Sequence, residues 1–342
     1  MENASVSVVF PTCTIEDHAF AEPVGRREAP TNRLLPRQPE AVSTVRPPGC
    51  GLALCRPGGN RLRLGAAAFR ETSVREGTSK SMKRLLNALP ARAYLQLKWN
   101  YGKLFDRKTF RHLQKLRHTT QGTFSFQEFD RKRAIFVHIP KCAGIAVKKA
   151  LFDDLSGGHT KLSAYCRVFE PDLFLSYFKF AFIRNPWDRL VSAYHFLKGG
   201  GYGTGDKNWF ERELASYRDF EDFVHKWLRI ENIHKHIHFI PQTEFLEDEN
   251  NSGIKVDYIG FYENIDDDFN YIATRIGVDC TLKKGNVSSH ESYRDYYCAS
   301  TRDIVREVYR TDIERFGYDF ENSSIVTQIA ARDIALRSSG YA

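Results

Sequence analysis

The chain has 342 residues, 42% of them hydrophobic and 27% charged, which is ample for a large packed core and too apolar for a disordered polyelectrolyte. Its formal charge of +8 is concentrated: residues 81–133 hold 13 Lys/Arg against 3 Asp/Glu, a balance of +10 that leaves the remainder at −2. No stretch approaches the roughly 18 uninterrupted apolar residues of a membrane span, and seven cysteines without a CxxC pair argue against a zinc ribbon or a disulfide framework.

Residues 1–80 are rich in Pro, Gly, Arg and Ala without periodicity, as in RPPGCGLALCRPGGN, and are expected to be disordered or a non-native extension. Met82 offers an alternative start, and the N-terminus lacks the basic-then-apolar order of a secretion signal. Residues 81–130 read as a basic helical arm, with Leu85, Leu86 and Leu89, then Leu113 and Leu116, at helical spacing. Such an arm suits an anionic glycan, nucleic acid or peripheral contact with a membrane surface; a solvated basic face is the plainer reading.

The body is expected over 131–322, with 323–342 as a C-terminal tail. Ala134–Ile139 reads as a buried strand, followed by a helix over Gly144–Leu155 with Ile145, Ala150, Leu151 and Leu155 on its apolar stripe. Tyr177–Ile183 is a second strand; Asn185 and Pro186 then supply an N-cap and a first-turn proline for the helix WDRLVSAYHFL. Asp219–Ile230 is predicted helical with Phe220, Phe223, Val224 and Trp227 inward, and Val256–Phe261 is a third strand. Asn264 should cap a helix through Ile276, with Asp267 at the capping-box position and Gly277 as its stop. Ser300 should cap a last helix ending at Gly317, with Ile304, Val305, Val308, Ile313 and Phe316 inward. Alternating strands and helices predict an α/β fold around a mostly parallel sheet.

Two corners carry the chemistry. In AIFVHIPKCAGIAV a strand turns into a helix at Lys141, where backbone N–H groups and the helix dipole converge and small residues let an anion approach. An ordinary β–α turn with a surface lysine is the alternative. A nucleotide-triphosphate loop would read GxxxxGK[ST] and bind magnesium through its hydroxyl. Here the lysine precedes the glycine and is followed by Ile145, Ala146 and Val147, so the loop has no magnesium hook. In FKFAFIRNPWDRLVSAY, Arg184 stands at the carboxyl end of the next strand, where open α/β sheets bind ligands, and can pair bidentately with phosphate. Ser192, about two helical turns on, adds a hydroxyl, while Arg189 is a reserve cation or, more plainly, a structural ion-pair partner for Asp188 or a neighbour.

HIPKCAGIAVKKALF together with FKFAFIRNPWDRLVSAYHFL resembles the sulfotransferase family that uses 3′-phosphoadenosine 5′-phosphosulfate (PAPS), above all the carbohydrate-type enzymes related to the heparan 2-O-sulfotransferases and their bacterial relatives. The resemblance runs from about Lys132 to Phe320. It implies a P-loop-like three-layer sandwich, metal-independent in-line transfer, and a carbohydrate acceptor; nucleic acid is not expected. It places the phosphosulfate on Lys141, Cys142, Ala143, Gly144, Ile145 and Ala146, and the 3′-phosphate on Arg184 and Ser192. Relatives usually carry Thr or Ser after the lysine, and this chain does not. Family members of the Golgi are membrane-anchored; without a visible span, a cytoplasmic enzyme is expected.

Sulfuryl transfer also calls for a base. His159, in the loop SGGHTKLSAY between the corners, is the candidate, a surface-loop histidine being the other reading; Asp153, Asp154 and Glu170 rank behind it. HKHIHF would align His234, His236 and His238 on one strand face, lining an acceptor groove with Pro241 and Gln242, or simply at the surface; no carboxylate has matching spacing for a metal. KGGGYGTGD (198–206) is a loop or an acceptor lid, and KKGNVSSHESY (283–293) resembles the family's nucleotide-closing segment, offering Lys284, Asn286 and Ser288. Glu263 and Asp257 read as fold residues. Two other functions compete: a P-loop small-molecule kinase, disfavoured by the missing GK[ST], and a non-catalytic module binding anionic glycan or nucleic acid through the arm.

Overall fold

The computed structural model describes residues 86, 88–120, 124–246, 255–282 and 292–338. Residues 1–80, Met82, Lys284, Asn286 and Ser288 lie outside the described residues.

The arm is helical where described. Helices α1 (Ala91–Leu104) and α2 (Arg107–His118) precede the short α3 (Gln127–Lys132). Leu113 and Leu116 are buried, as their spacing required. Arm and body exchange ion pairs: buried Arg117 donates to Asp130 within the arm and to Glu170 of the body, and the arm's Asp106 receives Arg167 of the body.

Three strands form the sheet: β1 (Ala134–Val137), β2 (Phe178–Ile183) and β3 (Tyr258–Phe261), in the order β1-β2-β3 with both pairs parallel. Nearly every strand residue is buried, so both faces are covered, which is why these segments are continuous apolar runs and not alternating ones. Lys179 is the exception, its ammonium turned back onto the Phe174 and Tyr177 carbonyls and Asp257. The register pairs Val137 with Ala181 and Ile183 with Phe261, so the chain leaves β1 and β2 side by side.

Helix α4 (Gly144–Phe152) follows β1, the small helices α5 (Leu162–Tyr165) and α6 (Pro171–Ser176) lead to β2, and α7 (Pro186–Lys198) follows it. Helix α4 stops short of Leu155 because Asp153 and Asp154 both adopt positive φ, and its buried face is Val147, Leu151 and Phe152; Ile145 is 38% exposed, not on the stripe. Asn185 caps α7 as expected, its side-chain oxygen accepting the Trp187 amide at 3.0 Å.

Helices α8 (Thr204–Glu213) and α9 (Phe220–Lys226), the single turn α10 (Thr243–Leu246), α11 (Ile265–Arg275), α12 (Ala299–Val308), α13 (Arg310–Phe316) and α14 (Ile325–Ser338) complete the described chain. All four inward residues foreseen for α9 are buried. Asn264 stands at the N-cap of α11 and Gly277 follows its end, as expected, but the Asn264 side chain makes no capping bond. Asp268, neither Asn264 nor Asp267, accepts the Phe261 amide at 2.6 Å, and the Asn264 side chain donates to Asp268. The last helix is two, broken at Tyr309, and its N-cap is Cys298 paired with Thr301, not Ser300; it ends at Gly317, whose φ of 69° suits glycine. The segment read as a tail carries α14, from which Arg332 reaches buried Asp268 at 2.8 Å.

Between α7, α9 and α12 lies an aromatic core containing Trp187, Tyr194, Phe220, Phe223, Trp227 and Tyr309. Burial of each such side chain contributes about 1.5–3 kcal/mol, which holds α7, and with it the second corner, against the body.

Candidate active site

The β1 exit is strained. Lys141 and Ala143 both have positive φ, 69° and 60°, a conformation that costs non-glycine residues about 1–3 kcal/mol each. Alternating backbone of this kind turns successive N–H groups toward one concavity. The Ala146 and Val147 amides bond to the Ala143 carbonyl, whereas those of Ala143, Gly144 and Ile145 have no acceptor among the described residues. Ala146 is therefore removed from the expected amide donors. Gly144 is required by close approach: a Cβ there would fall 1.9 Å from the His138 ring.

Lys141 forms no ion pair among the described residues. Its ammonium lies 3.9 Å from the centre of the Phe196 ring, and burial, reinforced by the Arg184 charge, lowers its pKa to about 8. Cys142 faces inward, its thiol donating to Gln242 Oε1 at 3.3 Å and pushed up to about 12 by burial. It serves the corner through its backbone, not its sulfur.

The β2 exit is braced. Arg184, only 6% exposed, forks onto Asp188 with Nε and Nη2 at 2.7 Å and gives Nη1 to the Lys141 carbonyl at 3.1 Å. Asp188 is thus the partner of Arg184, one helical turn away, and not of Arg189. Arg189 is fully buried and donates to the His238 and Ile240 carbonyls. Three of the five guanidinium N–H groups of Arg184 are committed, leaving two. Ser192 is buried on the same helix. Glu263 accepts the Asn185 amide and Asp257 the Lys179 amide, each at 2.7 Å, so both serve the fold.

Gln242, which the sequence placed in a groove or at the surface, is 0% exposed and clasps the two corners. Its side chain accepts the Arg184 amide and donates to the Arg184 carbonyl, both at 2.9 Å, while also receiving Cys142. Its own amide is held by Asp312, a buried carboxylate that also takes the Thr243 amide and hydroxyl.

His159 is not a surface residue. Its ring lies 4.3 Å from that of His138, and Nδ1 is 3.0 Å from the His138 carbonyl. A carbonyl only accepts, so Nδ1 carries the proton and Nε2 keeps its lone pair, the tautomer a base requires. Burial lowers the pKa of His159 to about 4, despite the opposing hydrogen bond to His138. His138 itself is held neutral chiefly by burial, and its Nδ1 has no partner. Gly157 and Gly158 admit the loop beneath Phe126 and Phe124, the latter glycine at φ 57°.

HKHIHF is not a strand. Two 3₁₀ turns, Ile233–Lys235 and Ile237–Phe239, flank extended His236, and His234 turns away to Glu244 at 2.7 Å. His236 and His238 do meet, Nδ1 to Nδ1 at 3.1 Å, and Asp206, in the first turn of α8 after the glycine loop, comes within 3.4 Å of His236 Nε2. The carboxylate that spacing alone did not supply is thus brought in by the fold. Burial would raise Asp206, but hydrogen bonds from His236 and the Tyr202 amide outweigh it and hold this carboxyl below its ordinary value. Asp206, His236 and His238 lie within metal-binding reach of one another, as do the more exposed Glu221, His225 and Cys298. A separate hollow of about 370 Å³, lined by Tyr258, Tyr271 and Arg332 among others, contains no residue of either corner.

A parallel α/β sheet whose first β–α turn presents open amides and an ammonium, next to an arginine corner and a part-buried histidine, has the parts of a site for anionic groups. The chain belongs to the sulfotransferase family, whose description it matches over residues 125–319. It is similar to carbohydrate sulfotransferase 10 of Homo sapiens, 24% identical over 257 residues covering 60% of this chain and 71% of the relative. The Xenopus laevis protein of that name is 26% identical over 262 residues with the same coverage. Carbohydrate sulfotransferase 14 of Danio rerio is 24% identical over 233 residues, 57% of this chain and 62% of the relative. No solved structure matches the chain.

Proposed function

We propose that the chain transfers a sulfuryl group from PAPS to a hydroxyl of a carbohydrate, without a metal. The observation that carries this reading is an ammonium, Lys141, without a carboxylate partner among the described residues, whose charge is felt at the part-buried imidazole of His159, where Nε2 keeps its lone pair. The names of the relatives support the carbohydrate acceptor.

In this reading the 5′-phosphosulfate sits on the Ala143, Gly144 and Ile145 amides at the N-terminus of α4, with Lys141 alongside. The 3′-phosphate meets the two remaining N–H groups of Arg184 and the Ser192 hydroxyl. The acceptor oxygen attacks sulfur while its proton passes to His159 Nε2. The bond from sulfur to the bridging oxygen breaks, and its electron pair stays on the 5′-phosphate as adenosine 3′,5′-bisphosphate leaves. Lys141 stabilises the charge that grows on that oxygen. A base so placed contributes about 10²–10⁴ in rate.

The test is transfer of radiolabelled sulfate from PAPS to a panel of glycans in EDTA, beside thermal shifts with adenosine 3′,5′-bisphosphate and with ATP. Labelled glycan and stabilisation by the bisphosphate are expected; stabilisation by magnesium–ATP alone would favour a kinase and remove this reading.

A further inference from the structure

We propose that Asp206, His236 and His238 form a relay that orients His238 as a second proton acceptor beside Lys141, making the first turn of α8 part of the active site. The proposal rests on the sulfuryl-transfer reading for what the proton acceptor does, but the relay itself is a matter of proton positions.

The direction of every bond in the chain is determined. Asp206 Oδ1, which can only accept, lies 3.4 Å from His236 Nε2, a long contact that favours a proton on that nitrogen and a lone pair on Nδ1. An independent contact agrees: the backbone N–H of His238, which can only donate, points at that same Nδ1 at 3.4 Å. His238 Nδ1, 3.1 Å from it, must therefore carry its own proton, which leaves the lone pair of His238 on Nε2. The two rings are within 17° of parallel with centroids 4.9 Å apart, and the Nδ1 atoms, at 3.1 Å, are their hydrogen-bonding contact.

The relay is fixed at both ends. The Tyr202 amide donates to Asp206 Oδ2 at 3.0 Å, and Gly201, at φ 61°, allows the loop to fold so closely that a Cβ would fall 2.2 Å from Asp206 Cβ. The Trp209 ring covers His236 at 4.4 Å. At the other end the His238 ring lies 5.6 Å from His159 and 5.0 Å from Phe196, the ring that carries the Lys141 ammonium. His238 thus shares the space of the lysine corner, and its proton is set by a carboxylate on a different segment, as an aspartate sets the histidine of a catalytic triad.

Asp206→Asn is the discriminating variant. The Tyr202 amide still needs an acceptor, so the asparagine oxygen stays on that side and its NH₂ faces His236. A donor there moves the His236 proton to Nδ1, which gives up the 3.4 Å contact from the His238 backbone N–H, donates to the His238 ring and forces the His238 proton onto Nε2. Imidazole ¹⁵N spectra of histidine-labelled protein in EDTA, assigned with His238→Gln, read this directly. The wild-type chain should show His238 protonated at Nδ1, and Asp206→Asn should reverse it. Steady-state transfer should then fall about 10²-fold or more in kcat with little change in the KM for PAPS. His236→Gln, which breaks the chain without reversing it, should lose less.

A wild-type His238 protonated at Nε2, a spectrum indifferent to Asp206→Asn, or a nitrogen shift that EDTA removes would overturn the relay, the last in favour of a metal site. Reversal without loss of kcat would overturn the role of His238 as acceptor of the proton. A wild-type chain that moves no sulfuryl group would sink the proposed function instead, while the spectra would still decide the relay.

Discussion

The two strand exits are built from similar parts and behave in opposite ways. Both place a cation after a parallel strand and before a helix. At the first, the cation has no carboxylate, the backbone is strained and three amides are open. At the second, the cation is forked by Asp188, the helix is capped by Asn185 and a fully buried glutamine spans the backbone. A charge kept unpaired is available for a reaction; a charge already paired positions its surroundings. The second corner supports the first directly, through Arg184 Nη1 on the Lys141 carbonyl.

The largest expected break in this contrast is at Lys141. Lys141→Ala should lower transfer from PAPS by about 10³-fold, on the scale of removing a preorganised donor to a developing oxyanion. Lys141→Met should be equally inactive and yet melt a few degrees higher near neutral pH, because the wild-type folded state holds a buried ammonium with its pKa lowered to about 8. The sign is specific. The unfolded chain binds more protons between about pH 8 and the ordinary lysine value, so wild-type stability rises with pH there and the advantage of Met shrinks. Equal melting curves across that window would contradict the unpaired charge.

Arg184→Ala should act in the opposite sense on stability, costing about 3–5 kcal/mol in denaturant titration by leaving Asp188 buried and uncompensated. Arg184→Ala with Asp188→Ala should recover part of that stability and none of the affinity for adenosine 3′,5′-bisphosphate. Recovery of affinity would remove Arg184 from the donor site.

The pH profile is a subtler probe. In kcat/KM, which reports the free enzyme, an alkaline limb should fall near pH 8 as Lys141 loses its proton, and an acid limb near pH 4 as His159 gains one. Bound phosphosulfate favours the ammonium, so the alkaline limb in kcat should lie higher. A limb that Lys141→Arg does not move would belong to another group.

The smallest effect concerns the missing hydroxyl. Ile145→Ser restores a donor at a position whose side chain is largely outside the core, so it should tighten bisphosphate binding a few-fold by calorimetry at little cost in stability. Weaker binding would mean that the Ile145 amide is not at the phosphate.

What could be read from the chain was local. Apolar runs ending at Lys141 and Arg184 gave the parallel sheet and both corners, because a strand–turn–helix is specified by neighbours in sequence. The place of His159 in the loop between the corners was legible too, but its contact with the distant His138 carbonyl was not. Pairing across turns was less so: Asp188 was assigned to Arg189 beside it, although side chains four apart share a helix face and adjacent ones do not. HKHIHF has the alternation of a strand, but His236 accepts the amide of His238 and the chain folds into two tight turns. Gln242 gave no local signal. Its partners are Cys142 and Arg184, far along the chain, and only the packing of α10 under Asp312 brings it to them.

That clasp has a consequence for what the site can measure. Because one buried amide side chain grips both exits, the distance between them is a property of the folded body and does not adapt to the visitor. The enzyme carries a fixed caliper. In the proposed reading a nucleotide with phosphates at opposite ends of its ribose would span the jaws, and a linear triphosphate, whose charge is bunched at one end, would fill only one of them.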